Sequence, residues 1–303
     1  MTIQARVNSE LSTRIDNGFV AATISFGSGF LILCVIMLLS QRARTGLRLM
    51  REHIKARTFP WAFTLAGAVG AGYVLSQGLV VGITGVALFT VAFIAGLTVG
   101  GLLLDLWGIG PAGHRPLTAP RVGGASLAVV AVIIALAGQP ATTVSYFPLV
   151  LPAFFGVLVA WQQAANGRLA VVAQTPLTAT FVNFMVGTGV LLIAVAVRAF
   201  IVGPASALPT ALPGELWLYI GGISGVIFIA TTALVVRAIG VLLLSLGSVA
   251  GQLTTALTLD AVFPSAHVLA IATVVGTALT LVAAVIAAIP RRHKPSHEVE
   301  HSS

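Results

Sequence analysis

The stretch LWLYIGGISGVIFIATTALVVRAIGVLLLSLGSVAGQLTTALTL, residues 216–259, contains one charged side chain, Arg237. An α-helix rises about 1.5 Å per residue, and about 20 residues cross a hydrocarbon layer of roughly 30 Å. The run is twice too long for one crossing, so it reads as two apolar helices, 214–236 and 238–259, folded into a tight hairpin near Arg237. Helix is the expected conformation, because a backbone in lipid must satisfy its hydrogen bonds within its own segment. Working outward, further apolar stretches lie at 17–40, 59–81, 83–104, 120–138, 148–167, 175–197 and 266–289. The pair 59–81 and 83–104 predicts a second hairpin, broken at Gly82. Nine membrane-spanning helices result.

Composition agrees. Hydrophobic residues make up 57% of the 303 and charged residues only 8%, with a mean hydropathy of +1.03. A soluble domain carries about 25% charged residues, so most of this surface faces lipid. The one cysteine, Cys34, lies inside an apolar run and reads as a small buried hydrophobe. Residues 1–16 are polar and hold no apolar segment of signal-peptide type.

The net charge of +8 suggests a nucleic-acid partner only until its distribution is read. The basic residues sit between apolar runs and form no aromatic-interleaved face, so nucleic acid is excluded and they report membrane orientation. The loop 41–58 carries Arg42, Arg44, Arg48, Arg51, Lys55 and Arg57. With that loop in the cytoplasm, alternation also places Arg115, Arg121, Arg168, Arg237, Arg291, Arg292 and Lys294 inside. Only Arg6, Arg14 and Arg198 remain outside. This predicts a multi-pass protein of a bacterial cytoplasmic membrane with its C-terminus in the cytoplasm.

Sliding the chain along itself exposes two related halves. An offset of 158 places Gln4 on Gln162, Asn8 on Asn166, Leu11 on Leu169, Phe26 on Phe184 and Gly29 on Gly187. An offset of 155 places Gly67 on Gly222, Gly70 on Gly225, Ala95-Gly96 on Ala250-Gly251 and Asp105 on Asp260. Aliphatic coincidences mean little in such sequence, but Gln, Asn and Asp are scarce and agree in register. We therefore divide the chain into a first repeat, 1–140, a second repeat of five helices, 141–289, and a disordered cytoplasmic tail, 290–303. An odd number of crossings inverts the second repeat relative to the first. Inverted repeats are the architecture of secondary transporters, in which exchange of two related gates alternates access to a central site. The counterpart of Pro148 falls ahead of Met1, so the first helix of the first repeat is expected upstream, with a genuine nine-helix protein whose N-terminus is external as the alternative.

The run Ala160-Trp161-Gln162-Gln163-Ala164-Ala165-Asn166-Gly167-Arg168-Leu169, with Phe184 and Gly187 after it, resembles the first two helices of the tandem YdcZ-like membrane proteins of the drug/metabolite transporter superfamily. Trp61, Gly67, Gly70 and Ala95-Gly96 through Asp105 resemble their third and fourth helices. The resemblance covers nearly the whole chain. It implies a ten-helix bundle of two inverted five-helix repeats, a cavity lined by the first four helices of each half, and movement of small organic molecules. The sequence departs from the pattern at its N-terminus, where the first helix is missing and Asn8-Ser9-Glu10 stands in place of an Asn-Gly pair.

Polar groups within the membrane are costly and are functional candidates. Gln162 and Asn166 are four residues apart, on one helical face, and can offer amide donors and acceptors to a substrate or bond neighbouring helices. Asn183, Gln77 and Gln252 carry the same two readings. Gln163 lies about 100° around the helix from Gln162 and is assigned to packing. Trp161 is placed beside the amides, where it could stack on a ligand or simply pack. Trp61 and Trp217 read as interfacial anchors. Asp105 and Asp260 end equivalent helices and are gating candidates, with solvated helix ends as the alternative. The small-residue pairs Gly96/Gly100 and Gly247/Gly251 read as helix-packing sites.

No Walker motif, paired cysteine ligands or His–Glu metal cluster occurs, so no cofactor and no metal are expected. Asp260, Ser265 and His267 are close in sequence but fall in a short loop, and an enzyme is not expected. The sequence thus predicts an all-α polytopic membrane bundle of nine helices that transports a small organic metabolite or drug-like molecule by alternating access. Gln162, Asn166, Trp161, Asn183, Gln77 and Gln252 are its substrate-binding candidates. The partners implied are a small-molecule substrate and the lipid bilayer, with a homodimer left open. The competing class is a non-transporting membrane scaffold, receptor or accessory subunit, which a solid bundle without a central cavity would favour.

Overall fold

The computed structural model describes residues 2–15, 17–136, 150–203, 216–262 and 271–289, and every regular element among them is helical. In chain order these are α1 (Thr2–Ile15), α2 (Gly18–Leu39), α3 (Gln41–Lys55), α4 (Ala66–Leu106), α5 (Ala119–Leu136), α6 (Val150–Val172), α7 (Pro176–Val202), α8 (Gly221–Val262) and α9 (Ile271–Ala288). Gly18–Leu39, Pro176–Ile201 and Trp217–Gln252 are long and apolar enough to cross a membrane, and Trp61–Ser76, Ala92–Leu106, Ala119–Ala131 and Ala278–Ala288 are shorter apolar helices. The surface they present is apolar: Phe200 is 94% exposed, and Leu39 and Ile201 are nearly as open. Such side chains are solvated by acyl chains, so the molecule is a helical membrane bundle.

Local signals set the helix starts. Asn17 precedes α2 and its Oδ1 accepts from the amides of Phe19 and Val20 at 3.1 and 3.2 Å. Thr175 caps α7 through its Oγ1, with Pro176 at the first helical position, where a missing N–H costs nothing. α3 is the basic loop 41–58 in helical form. It rests Ala43, Gly46 and Met50 on the bundle and turns its arginines outward.

Both predicted hairpins are present inside the long elements. The rings of Tyr73 and Phe93 are 4.5 Å apart, whereas twenty residues of straight helix would separate them by about 30 Å. The chain of α4 therefore doubles back between them. The expected break at Gly82 falls among residues 77–91, whose side chains lie outside the described set. In α8 the break is at Gly240, with φ 84° and ψ 174°, three residues past Arg237. That backbone conformation is essentially reserved for glycine, which is why the reversal waits three residues past the charge. We call the two parts of each hairpin its first and second arm.

α2 and α7 cross antiparallel at the centre. Phe26 meets Phe184 at 5.3 Å between centroids, and Phe30 meets Phe181 at 5.5 Å. The contacts are reciprocal. Phe26 lies where a Cβ on Gly187 would be, and Phe184 where a Cβ on Gly29 would be; Gly67 abuts the Asn183 carbonyl, and Gly222 the Ser25 carbonyl. Each contact in these pairs is the other shifted by the two sequence offsets. α5 and α9 pair at the side through Ala125, Ala128, Ala283 and Ala287. Of the small-residue pairs, Gly96 and Gly100 do pack, against Ala153 and Val157 of α6. Around Gly247 and Gly251 no described residue lies within 4 Å of where a Cβ would stand.

α1 looks polar in sequence but folds as a docked helix. It buries Leu11 and Ile15 against α2 and the turn Leu216–Tyr219, with Val7 buried as well, and that docking brings Asn8 to the cavity described next.

Candidate functional site: an amide-lined central cavity

Val159, Gln162, Gln163 and Asn166 follow the i, i+3, i+4, i+7 spacing of one helical stripe. In α6 this stripe faces a cavity of about 150 Å³. Asn183 of α7, Asn8 of α1, and Thr232, Ser248 and Gln252 of α8 complete its polar wall. Phe26, Tyr73, Phe93, Phe184 and Phe228 give it aromatic walls, with Val74, Leu97 and Ile229 among the aliphatic remainder. Both arms of α8 reach the same space, as the hairpin requires. None of the described lining residues is charged.

The amides form a relay. Gln162 Nε2 donates to Asn183 Oδ1 at 3.5 Å, and Asn183 Nδ2 donates to Asn166 Oδ1 at 3.2 Å. All three side chains are at least 95% buried. Gln163 is tied separately, its Oε1 accepting from Ser245 Oγ at 3.0 Å. Gln252 donates to the Ser248 carbonyl within its own helix. Asn8 Oδ1 is buried without a hydrogen-bond partner among the described residues. Its sequence counterpart Asn166 is satisfied by Asn183, whereas the counterpart of Asn183 is Ser25. A serine hydroxyl is too short to do what the carboxamide does, and Ser25 Oγ is itself buried without a partner among the described residues.

Thr232 and Ser248 flank Gly240 at about 12 Å along their arms, and the bundle end at Gly240 is closed by charge. Asp105 is fully buried. Its carboxylate accepts from the backbone amides of Val241 at 2.8 Å and Leu242 at 3.2 Å and pairs with the guanidinium of Arg121. Two orphan N–H groups at the start of the second arm are thereby capped. Arg115 donates to the Ala238 carbonyl at 2.8 Å, capping the end of the first arm, and its own amide donates to the Asp105 carbonyl at 2.7 Å. Nearby, Arg168 donates to the Gly108 carbonyl and lies over the Phe63 ring, and Arg42 reaches the Gln174 carbonyl. The basic residues assigned to one membrane face thus gather at one end.

Of the sequence candidates, Gln162, Asn166, Asn183 and Gln252 do meet at the cavity. Trp161 does not line it; its ring packs edge-on against Phe63 at 5.7 Å, because one residue rotates it about 100° off the lining stripe. The same rotation brings Gln163 onto the stripe, which corrects its assignment to packing. The side chains of Gln77 and Asp260 lie outside the described residues, as do Ser265 and His267. Asp105 is not a solvated helix end, because the α8 break and the start of α5 cover it. Sequence reasoning missed Tyr73, Thr232 and Ser248, which carry no signal beyond isolated polarity in apolar runs. Among the described residues no group of three His, Cys, Asp or Glu is placed to hold a metal.

A polytopic helical bundle enclosing a central cavity whose described lining is polar and aromatic defines the class: a multi-pass helical membrane protein with an internal cavity. The chain belongs to the YdcZ family of the drug/metabolite transporter superfamily. Its residues 1–134 and 147–286, two tandem segments, match the family model described as "Putative inner membrane exporter, YdcZ". That membership places it among membrane transporters rather than enzymes. No curated protein sequence matches the chain. A solved crystal structure of a protein 19% identical in sequence is similar over 95% of this chain and 94% of that one, with a TM-score of 0.69. At that identity the likeness concerns the fold.

Proposed function

We propose that this chain is a secondary transporter that moves a small organic molecule across the membrane by alternating access, with the amide-lined cavity as its substrate site. The observation that carries the reading is that cavity, which is built from both related segments and holds buried amides with unused hydrogen-bonding capacity. A scaffold or accessory subunit would bury apolar side chains there, since a buried polar group costs free energy without a partner. The Asp105–Arg121 closure serves as the gate at the end that the arginine distribution assigns to the cytoplasm. Its release would open the cavity on that side, and the region around Asp260 would act at the other end. The two tandem family segments support reading 1–140 and 141–289 as the moving halves.

The test is protein-dependent efflux. Proteoliposomes of the full chain, loaded with a mixture of small metabolites, should lose a restricted set of them faster than empty liposomes do. Asn183→Leu should abolish the difference. Equal loss from both preparations would contradict transport.

A further inference from the structure

The cavity specifies the charge and shape of what it takes, an inference that rests on the transport-site reading above. Among the described residues no lining residue is charged. The carboxylate of Asp105 beneath it is already committed to Arg121 and two backbone amides. A cation entering would find no counter-charge, and an anion would find no Arg or Lys in the lining. Burying either without a partner is heavily penalised.

The relay supplies what a neutral ligand needs. With the bonds Gln162 to Asn183 to Asn166, Gln162 Oε1 and Asn166 Nδ2 have no partner among the described residues, and neither is a fully buried orphan. They face the cavity as one acceptor and one donor. Amide orientations are assigned from the network, but reversing all three leaves Gln162 Nε2 and Asn166 Oδ1 free instead. Either way the relay ends in one N–H donor and one carbonyl acceptor on the same α6 face, one turn apart. Size and walls set the rest. A cavity of about 150 Å³ holds one six-membered ring, and Phe26, Tyr73, Phe93 and Phe184 give it aromatic walls on which a flat ring stacks.

We propose that the cavity binds uncharged, planar, single-ring molecules carrying an adjacent donor and acceptor, of the aromatic carboxamide or lactam class, and rejects organic cations and anions of the same size. The three probes nicotinamide, nicotinate and 1-methylnicotinamide share one ring and carry no charge, a negative charge and a positive charge. Titration calorimetry on the detergent-purified full chain should show nicotinamide binding at least about tenfold more tightly than either ion. Asn166→Asp, which adds a carboxylate at one relay end, should shift the preference to 1-methylnicotinamide. Gln163→Glu asks the same question if the first variant fails to assemble. Equal or tighter binding of an ion by the parent protein, no binding of any probe, or an unchanged preference in both variants overturns the proposal. Flux of the same probes separates it from the transport reading. Cation flux would overturn this proposal and support transport, whereas nicotinamide binding without flux would support this proposal and contradict transport.

Discussion

Replacing Asp105 with alanine should be among the most damaging single changes in the bundle. Its carboxylate is fully buried and holds three groups at once: the Arg121 guanidinium and the backbone amides of Val241 and Leu242. Arg121, 8% exposed, would lose its counter-ion, and removing one member of a buried pair costs about 3–5 kcal/mol. Loss of the cap on the second arm of α8 overlaps with that figure, since a cap is worth about 1 kcal/mol. We therefore expect about 3–5 kcal/mol in total. Asp105→Asn keeps one acceptor oxygen for the arm but no charge, and should fall between the parent and the alanine variant. Unfolding in mixed dodecyl-sulfate and non-ionic micelles, followed by tryptophan fluorescence, gives the values. A loss below about 0.5 kcal/mol for Asp105→Ala, which is the scale of an exposed ion pair, would refute the reasoning and return Asp105 to a solvated helix end.

Two more changes test the frame around the site. Gly240→Ala places a Cβ at a positive φ, 2.8 Å from Asp105 Oδ2 and 3.1 Å from Arg115, and should cost about 1–3 kcal/mol in the same unfolding assay. An unchanged unfolding midpoint would contradict the break at that residue. The paired asparagines should respond oppositely. Asn166→Ala leaves Asn183 without its acceptor and should cost about 1–3 kcal/mol, whereas Asn8→Ala removes an unpartnered carboxamide oxygen and should be neutral or slightly stabilising. The reverse order would contradict the reading that Asn166 is bonded within the relay while Asn8 Oδ1 has no partner among the described residues.

The helical spans were legible in the sequence because lipid imposes a length and an apolar composition on each. The hairpins were legible because 216–259 is too long for one crossing. The site was legible to the extent that helical angle carries it. Gln162 and Asn166 share a face, and Asn183 is a rare amide in the next apolar helix. Trp161 and Gln163 exchanged roles because each is one step from Gln162, in opposite directions, and only the neighbours of α6 decide which side is the cavity. The burial of Asp105, which excludes the alternative of a solvated helix end, was hidden for a different reason. Its partners Val241 and Leu242 lie 136 and 137 residues away, and no local pattern announces that a helix end will be covered by another helix's break. The hint available was co-occurrence of Asp105, Arg115 and Arg121 with Gly240, the one residue type suited to that break. The partner of Asn183 was equally hidden, and its counterpart Ser25 gains meaning only once Asn8 is seen without a bond.

The central claim is that the cavity is reachable from both sides of the membrane in turn. Ser248 lines it and is half-buried, so Ser248→Cys, made in a Cys34→Ser background, places a single thiol there. A membrane-impermeant maleimide should label that thiol both in right-side-out and in inside-out vesicles. Labelling from one face only, or from neither, would contradict alternating access.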